Sequence, residues 1–561
     1  MADIIRDAAL GQIIRWATNN RYLQYPEEKS DFKLPEPWLQ LINNPDAPLP
    51  SSSSGSSSAS SVLQEKTPEA PSSPSQSPPT TTEAGQSHSH PPRTDLEDMT
   101  QERLAEDEQH NLEKTKSIPV VPQRTKDGAI LVDWYYTDDA ENPYNWSNKK
   151  RALIAVIICL YTFVVYTTSA IYTTSEQGIM QRFGVGEIKA TLGLSLYVLG
   201  YGVGPLIFSP LSEIPRIGRN PVYIITMFLF VIISIPTAFA PNYAGLMVLR
   251  FLQGFFAALG PLLSGFAVPA KSWRWSLFES VWASTPVFIA MFLLLPETSG
   301  ANILLRRAQR LRRITGNQRF MSQSEIDQRN LKVSAVFLDA LIKPIEITFK
   351  DPAVLFVQIY SAIIYGIYYS FFEVFPLVYP VYYGMNLGQI GLVFLCILVA
   401  CLIGVVVFAA YLYFYLNPRI RRFGFPVQES RLIPALPASF GPTIGLFLFA
   451  WTARASIHWI VPTIGITIYG ATVFIVMQCI FVYIPLSYPQ YAASLFAAND
   501  FFRSALACGS VLFAHPLFAN LGVAKGTSLL GGLSVIGIIG IWLLFFYGAR
   551  LRALSKFAIS E

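Results

Sequence analysis

Long apolar runs, separated by shorter polar segments, dominate the chain between residues 152 and 548. Eleven runs are of membrane-spanning length or slightly less, and a bilayer core needs roughly 20 apolar residues per helix. The runs are continuous rather than alternating, which favours helices over transmembrane β-strands. We therefore predict an all-α, polytopic membrane protein. The windows of full length are 152–172, 192–212, 221–240, 354–376, 391–415, 460–485 and 526–547.

Positive charge is concentrated in alternate loops of this array. An excess of Lys and Arg marks the cytosolic loops of membrane proteins, so we expect both termini and the long central loop to lie in the cytosol. The loop 378–388 on the other side has no Lys or Arg. The basic positions are Lys149, Lys150, Arg151, Arg216, Arg219, Arg306, Arg307, Arg310, Arg312, Arg313, Arg419, Arg421, Arg422, Arg431, Arg550, Arg552 and Lys556.

Composition agrees with a membrane class and divides the chain into segments. It is 52% hydrophobic and 14% charged, whereas soluble domains are about 25% charged. A Ser/Pro/Thr-rich stretch at 51–95 predicts a largely disordered tail, although apolar spacing in residues 1–20 also fits an amphipathic surface helix. The predicted segments are a cytosolic tail (1–150), an N-terminal bundle (151–296), a cytosolic central loop (297–352), a C-terminal bundle (353–549) and a cytosolic tail (550–561).

The first bundle is shorter than the second. Its apolar array, 152–296, has 145 residues against 196 for 353–548, a difference of 51. The shortage falls between Asn242 and Trp273, where Tyr243 to Ala270 is the single apolar run. One crossing there would place the arginine-rich loop outside, whereas a re-entrant element would keep the orientation. We favour a deletion, through a splice variant or a faulty gene model, which leaves about ten to eleven spans.

A motif after the second run carries a family resemblance. Residues 210–221 read Pro-Leu-Ser-Glu-Ile-Pro-Arg-Ile-Gly-Arg-Asn-Pro, a pattern that resembles the major facilitator superfamily and, within it, the fungal drug:proton antiporter group. The resemblance covers about residues 130–556 and implies two pseudo-symmetric bundles, nominally of twelve spans, with alternating access. It implies a gating role for Glu213, Arg216, Gly218 and Arg219. A structural turn with basic residues held inside for topology is the alternative, and both can hold together.

Two further motifs follow in the shortened region. Leu249 to Gly254 resembles the family's fourth-span motif, which implies a role for Arg250 in proton coupling; an arginine snorkelling at the outer interface is the alternative. Gly260, Pro261 and Gly265 resemble the Gly-Pro motif of antiporters. These motifs are nearly contiguous here, whereas most of a span and its return separate them in the family.

Charged and aromatic residues within the spans are the candidates for coupling and substrate contact. Glu373 lies in an apolar run and is a candidate proton carrier, with a hydrogen-bonded structural glutamate as the alternative. Asp500 and Arg503 are three residues apart on one helix face, and we expect a structural pair near the cytosolic boundary. Tyrosines could line a cavity that tolerates cations or form lipid-facing belts. The cavity candidates are Tyr197, Tyr365 and Tyr369.

No nucleotide-binding loop, nucleophile–base pair or metal-ligand cluster is seen in the sequence. We expect no enzyme, no cofactor and no metal, and we expect the five cysteines to be buried thiols. The predicted function is proton-coupled export of amphipathic drugs or other small organic compounds. The expected partners are that substrate, protons and the lipid bilayer, without nucleic acid, for a monomer in the plasma membrane or the vacuolar membrane. The alternatives are export of one endogenous metabolite or a polyamine, and a non-transporting truncated product.

Overall fold

Helices make up almost all of the computed structural model. It describes residues 2–29, 32, 35, 36, 38, 39, 117, 120, 123–125, 128–256, 274–327, 342, 345–423, 427–488 and 492–555. Within some helices a few side chains, including that of Glu213, lie outside the description. Eight helices of the described part are long and apolar enough to cross a membrane. This number is smaller than the eleven apolar runs because the segment Leu495–Ala553 counts as one helix although it contains two runs, and because the runs 152–172 and 243–270 include side chains or residues outside the description.

The N-terminal half places two short helices before a bundle. The elements are α1 (Ala2–Asp7), α2 (Ala9–Ala17), β1 (Ile130–Leu131), α3 (Asn148–Ile171), α4 (Glu176–Phe183), α5 (Glu187–Glu213), α6 (Arg219–Phe239), α7 (Tyr243–Phe255), α8 (Arg274–Leu294), α9 (Gly300–Thr315), β2 (Phe320–Met321) and α10 (Gln323–Asp327). In this bundle α3 and α6 pack on α8, and α5 packs on α7.

The C-terminal half contains the longer helices. They are α11 (Pro352–Tyr383), α12 (Leu387–Val393), α13 (Leu395–Tyr411), α14 (Asn417–Phe423), α15 (Ala435–Ala438), α16 (Phe440–Thr452), α17 (Ile460–Ser487) and α18 (Ala492–Leu554). Gly522, with φ of +77°, breaks α18 into two antiparallel spans, because glycine adopts positive φ without a steric penalty. A π-helical turn, Leu412–Leu416, joins α13 to α14. The largest hydrophobic core of the described residues lies in this half.

Each end of the helices in the first bundle can be assigned to one of two sides of the membrane. We call the side that carries the basic loops the inner side and the opposite one the outer side. Glu297, just after α8, accepts hydrogen bonds from Arg219 N and Asn220 N at the start of α6. The other end of α8, at Leu277, packs in the same cluster as Ala240 and Leu246 at the junction of α6 and α7.

This geometry bears on the short region of the first bundle. Since α6 ends on the outer side, α7 starts there, and α8 starts there as well. The stretch from Tyr243 to Arg274 therefore begins and ends on the outer side, as the re-entrant alternative requires. Helix α7 has 13 residues and is about 20 Å long at 1.5 Å per residue, which does not cross a bilayer. Residues 257–273 are outside the described part.

Part of the N-terminal tail is ordered and packs against the central loop. Strand β1 pairs in parallel with β2, with Ile130 opposite Phe320, and Ala8 forms an antiparallel bridge with Pro296. We call residues 2–28, 128–146 and 297–325 together the inner-side module. The stretch 51–95, predicted to be disordered, lies outside the described residues.

A network of buried charges joins the three segments of the inner-side module. Arg307 Nη1 donates to Asp139 at 2.7 Å and Nη2 donates to Glu141 at 3.0 Å, while its Nε lies 3.3 Å from Glu27. Arg310 shares Glu27 and Glu141. Burial alone would raise the pKa of Asp139, but the adjacent Arg307 guanidinium holds that pKa below its ordinary value. The module is therefore held by ion pairs between residues far apart in the sequence.

Candidate functional site

The two bundles meet through α5 and α18. Near the outer side an apolar cluster combines Tyr172, Leu194 and Val198 from the first bundle with Phe372 and Val511 from the second. Halfway along α5, a Cβ on Gly202 would lie 3.0 Å from Ser504 Oγ and 3.2 Å from Asp500 O. Glycine permits this close approach of helices. The described contacts between the bundles thus run from the outer side to the middle.

Arg250 is buried inside the first bundle, with no exposed surface. Its guanidinium stacks on the rings of Tyr172 and Tyr197, with 4.5 Å from the guanidinium carbon to each centroid. Such a cation–π contact is worth about 2 kcal/mol or more when desolvated. The snorkelling alternative is therefore wrong, because snorkelling would leave the guanidinium in water.

Polar atoms complete the surroundings of this arginine. Arg250 Nη1 donates to Gln253 Oε1 at 2.9 Å and to Thr168 O at 3.4 Å, and Nε donates to Gly193 O at 3.3 Å. Gln253 in turn donates to Ser234 Oγ at 2.7 Å. Arg250 therefore ties α3, α5, α6 and α7 together through uncharged groups.

Three carboxylates lie where the bundles meet near the outer side. Glu373 on α11 is 7% exposed, and the described residues supply it with no hydrogen-bond donor, contrary to the structural alternative. Its charge interacts with that of Glu187 on α5, and Glu176 on α4 interacts with both carboxylates and with Arg250. His515 Nε2 on α18 lies 3.2 Å from Glu187 Oε1. We call Glu176, Glu187, Glu373 and His515 the outer carboxylate cluster.

Asp500 and Arg503 form the predicted ion pair on α18. The guanidinium of Arg503 also stacks on the ring of Tyr365 at 4.7 Å. Asp500 O faces Gly202 in the middle of α5. The pair therefore lies at mid-depth, whereas the sequence predicts a position near the cytosolic boundary. Tyr365 in turn contacts Tyr369, with 5.0 Å between ring centroids. A charged pair and an aromatic surface therefore lie together at the bundle interface.

The motif after α5 forms a tight turn on the inner side. Gly218 has φ of +80° and ψ of 175°, a region essentially restricted to glycine. A Cβ there would overlap Glu297 Oε2 and lie 2.9 Å from Asn302. The carboxylate of Glu297 caps the N-terminus of α6, where anionic groups are favoured by the helix dipole.

The remaining predicted residues have different positions. Arg216 and Arg219 are exposed, and Arg219 contacts Glu297 through its backbone rather than through its guanidinium. Tyr197 and Tyr369 are 1% and 2% exposed, so both rings are closed off in this conformation. Gly260, Pro261 and Gly265, like the side chain of Glu213, lie outside the described residues. Of the cysteines, Cys396 and Cys479 are buried, whereas Cys159 is exposed.

Sequence reasoning missed several of these polar residues. Neither Glu297 nor Glu176 is among the candidates named from the sequence. Glu187 lies at the start of α5, and His515 lies near the outer end of the first of the two spans of α18; neither belongs to a motif. Glu279 on α8 has an oxygen, Oε2, that is buried without a hydrogen-bond partner. A search for every carboxylate near an apolar run would have found Glu187 and Glu279. Among the described residues no group of three or more His, Cys, Asp or Glu could hold a metal ion.

Known proteins resemble this chain over most of its length. The sequence model of the Major Facilitator Superfamily matches residues 158–260 and 257–512. The two matched segments meet at residues 257–260, inside the region where the first bundle is short. The structure of the proton:xylose symporter XylE, bound to 6-bromo-6-deoxy-D-glucose, aligns with a TM-score of 0.50 at 13% identity, over 72% of this chain and 96% of that chain. This similarity supports the fold.

Fungal proteins share much more sequence. An MFS-type transporter of Aspergillus violaceofuscus, pyvG, is 44% identical over 472 residues, with 78% of this chain and 87% of that protein covered. The cycloheximide resistance protein of Candida maltosa is 37% identical, with 76% and 86% covered. The fluconazole resistance protein 1 of Saccharomyces cerevisiae is 36% identical, with 78% and 86% covered.

These relatives agree with the resemblance found in the motifs. The match to the family model covers more than half of the chain, and eight helices of the described part have the length and composition needed to cross a membrane. The fold class and the fungal drug-resistance group predicted from the motifs are therefore confirmed. The chain belongs to the major facilitator superfamily, whose members are multi-pass membrane transporters of small molecules rather than enzymes.

Proposed function

We propose that the protein is a proton-coupled exporter of amphipathic drugs or other small organic compounds and works by alternating access. The observation that carries this proposal is Glu373, a buried carboxylate at the contact between the bundles. Two like charges in a poorly solvated place favour binding of a proton, and Glu176 interacts with Glu373 in this way. The names of the cycloheximide and fluconazole resistance proteins support drugs as substrates.

The coupling follows from where the groups lie. We infer that this conformation is closed on the outer side, because the outer ends of α5 and α18 are packed together. A proton bound by Glu373 and Glu176 would remove the repulsion between these carboxylates and stabilise the closed outer contact. Loss of the proton would restore the repulsion across the interface and favour opening. Arg250, whose charge interacts with Glu176, would link this change to the first bundle.

The substrate would contact the interface at mid-depth. An aromatic surface is offered there by the ring of Tyr365, on which Arg503 stacks. Arg503 also pairs with the partly exposed Asp500, so the charges at this surface are balanced. Aromatic faces suit flat apolar molecules and delocalised cations. Because Asp500 is already paired, a polyamine would find little free negative charge, and broad apolar drugs are the favoured class. On the inner side, the turn at Gly218 with Arg216, Arg219 and Glu213 would gate the opposite opening.

The setting of this activity follows the charge bias of the loops. We place both termini and the inner-side module in the cytosol and the transporter in the plasma membrane, with the vacuolar membrane as the alternative. We expect a monomer, since each bundle pair encloses its own site. Protons and a small organic substrate would then be the only soluble partners.

The test is energy-dependent efflux of a fluorescent cationic dye from a pump-deficient yeast, with and without a protonophore. Glu373→Gln removes the titrating group but keeps the shape, and Glu279→Gln makes the same change at a carboxylate outside the outer carboxylate cluster. We expect protonophore-sensitive efflux by the wild type and by E279Q, with loss of that efflux in E373Q. Equal efflux by both variants would exclude Glu373 as the proton carrier.

A second candidate is a non-transporting product that lacks part of the first bundle. It is favoured by the break of the family match at residues 257–260. The alignment with the Aspergillus relative also spans 472 residues, which exceeds 78% of the 561 residues here, so that protein has positions this chain lacks. A full-length fungal relative serves as the control in the same yeast. Activity of the control without activity of this chain, at equal amounts in the membrane, would favour this candidate.

A further inference from the structure

Helix α2 has its polar and apolar faces arranged in reverse for a helix on the surface of a soluble domain. Trp16 is 83% exposed and Ile13, one turn earlier, is 51% exposed. Arg15 and Gly11 are buried against the protein. A surface helix in water turns its apolar stripe toward the core and its charges outward.

Specific contacts explain why the arginine faces inward. Arg15 Nη2 donates to Glu28 Oε1 at 2.6 Å and Nη1 donates to Glu28 Oε2 at 2.8 Å and to Leu23 O at 2.7 Å. The guanidinium also stacks on the ring of Tyr25 at 4.5 Å. These bonds fix the rotation of α2 about its axis, so Ile13 and Trp16 are held outward.

Helix α2 lies where its exposed apolar face, with Ile13 and Trp16, can contact lipid. Helix α2 contacts both α6 and α8. The preceding residue, Ala8, pairs with Pro296, and Glu297 N donates to Asp7 O at 3.3 Å. These contacts place α2 at the inner ends of two spans, which is the level of the bilayer surface. The lipid-facing side of the same spans is apolar and exposed, for example at Ile225 and Ile289.

We propose that α2 is an in-plane membrane anchor whose Ile13 and Trp16 insert into the lipid at the inner surface of the bilayer. Tryptophan is enriched at this interface because its ring is apolar and its N–H remains hydrated. Amphipathic helices that lie in the membrane plane bury their apolar face about 5–10 Å deep. Arg21, exposed just beyond the helix, is suited to bind lipid phosphates.

The anchor acts on the inner-side module as well as on the bilayer. Arg15 is bonded to Glu28, and the neighbouring Glu27 contacts Arg307 and Arg310 of the central loop. Insertion of Trp16 therefore fixes the height of the module relative to the bilayer. This role requires no transport activity, so its test is independent of the proposed export.

The test uses a photoreactive aromatic residue, p-benzoylphenylalanine, placed at position 16 of the full-length protein in native membranes. The matched control is position 314, since Ile314 is 52% exposed but lies beside exposed Arg313 at the end of α9. We expect phospholipid adducts at position 16, detected by mass spectrometry, and none at position 314. Adducts at position 16 to a second copy or to another protein, or lipid adducts equal at both positions, would overturn the anchor.

A second measurement avoids the bulky probe. Trp16→Phe keeps an aromatic ring, whereas Trp16→Glu puts a charge at the same place, and both are compared in reconstituted vesicles. We expect hydrogen exchange of residues 2–17 to be faster in W16E and unchanged in W16F and in I314E. The same exchange rate in W16E and W16F would contradict insertion, because a solvated position tolerates either residue.

Discussion

Arg250 and Arg307 are buried to the same degree, at 0% and 1% exposure, but they are held in opposite ways. Arg307, in the inner-side module, contacts the carboxylates of Glu27, Asp139 and Glu141. Arg250, in the first bundle, is held by two tyrosine rings, carbonyl oxygens and the amide of Gln253. The carboxylate whose charge reaches it is Glu176.

Under the proposed function, this difference separates a structural arginine from one that takes part in coupling. The charge of Arg307 is balanced inside the fold, so no event in transport needs to change it. The described contacts of Arg250 are dipoles and ring faces, and its charge interacts with that of Glu176. Buried positive charge that depends on a titrating partner is the arrangement that proton coupling needs.

The largest expected effect comes from breaking the inner-side network. Arg307→Ala leaves Asp139 without its cation and leaves Glu27 and Glu141 with Arg310 alone, and removal of one partner of a buried ion pair costs about 3–5 kcal/mol. We expect residues 128–146 to lose their protection from hydrogen exchange. Arg313→Ala on the same helix is the control, since that side chain is exposed. Equal loss of protection in both variants would mean that the network does not hold the module.

Arg250→Ala should act on transport instead. Without the guanidinium, Glu176 loses its positive partner, and we expect the initial rate of efflux to fall on the order of a hundredfold, which corresponds to about 2.7 kcal/mol. Arg250→Lys keeps the charge but loses the planar stacking on two rings. Its initial rate of efflux should lie between those of the wild type and R250A. Equal efflux by R250A and the wild type, at the same amount of protein in the membrane, would contradict a role of Arg250 in transport.

The turn at Gly218 extends the comparison to two glycines with positive φ. At Gly316, with φ of +69°, no atom lies within 4 Å of an added Cβ, so Gly316→Ala should cost about 1 kcal/mol from the backbone alone. At Gly218 the backbone is more restricted and an added Cβ meets Glu297. We expect Gly218→Ala to cost about 2 kcal/mol, measured as a larger loss of thermal stability than in G316A. A loss in G218A no greater than in G316A would show that Glu297 moves aside freely.

The smallest effect is expected at Tyr172, and it separates the ring from its hydroxyl. The hydroxyl donates to Ala190 O at 2.8 Å, so Tyr172→Phe should lower stability by about 1 kcal/mol and leave efflux unchanged. Tyr172→Leu removes the ring face under Arg250 and should lower efflux as well. If Y172F and Y172L transport equally well, stacking on this ring does not contribute to coupling.

Local features of the chain could be predicted from sequence, and distant contacts could not. The apolar window 192–212 lies within α5, Glu187–Glu213, and 460–485 lies within α17, Ile460–Ser487, because length and hydropathy are local. The turn at Gly218 was likewise predicted from its motif. The partner of this turn, Glu297, lies 78 residues after Arg219, and no local pattern indicates such a pair.

The ordered part of the tail illustrates the same limit. Apolar spacing in residues 1–20 suggests only a surface helix, whereas the segment 2–28 is held against the central loop through Glu27, which contacts Arg307 and Arg310, and through Glu28, which pairs with Arg15. Arg250 could be placed in a span from sequence, but its burial depends on tyrosines from two other segments. The depth of the Asp500–Arg503 pair depends on the contact of Asp500 with Gly202 of another helix, which no local pattern indicates.

The pairing of the tail with the central loop also imposes an order of events during synthesis. Glu27 leaves the ribosome 280 residues before Arg307 does, a delay of roughly 15–55 s at about 5–20 residues per second. During that interval the whole first bundle enters the membrane, and the early segment has no cation of the central loop to bind. Docking of the tail can therefore occur only after the first bundle is complete. A nascent chain that stops before Arg307 would therefore carry Glu27 without the two arginines that contact it in the folded protein.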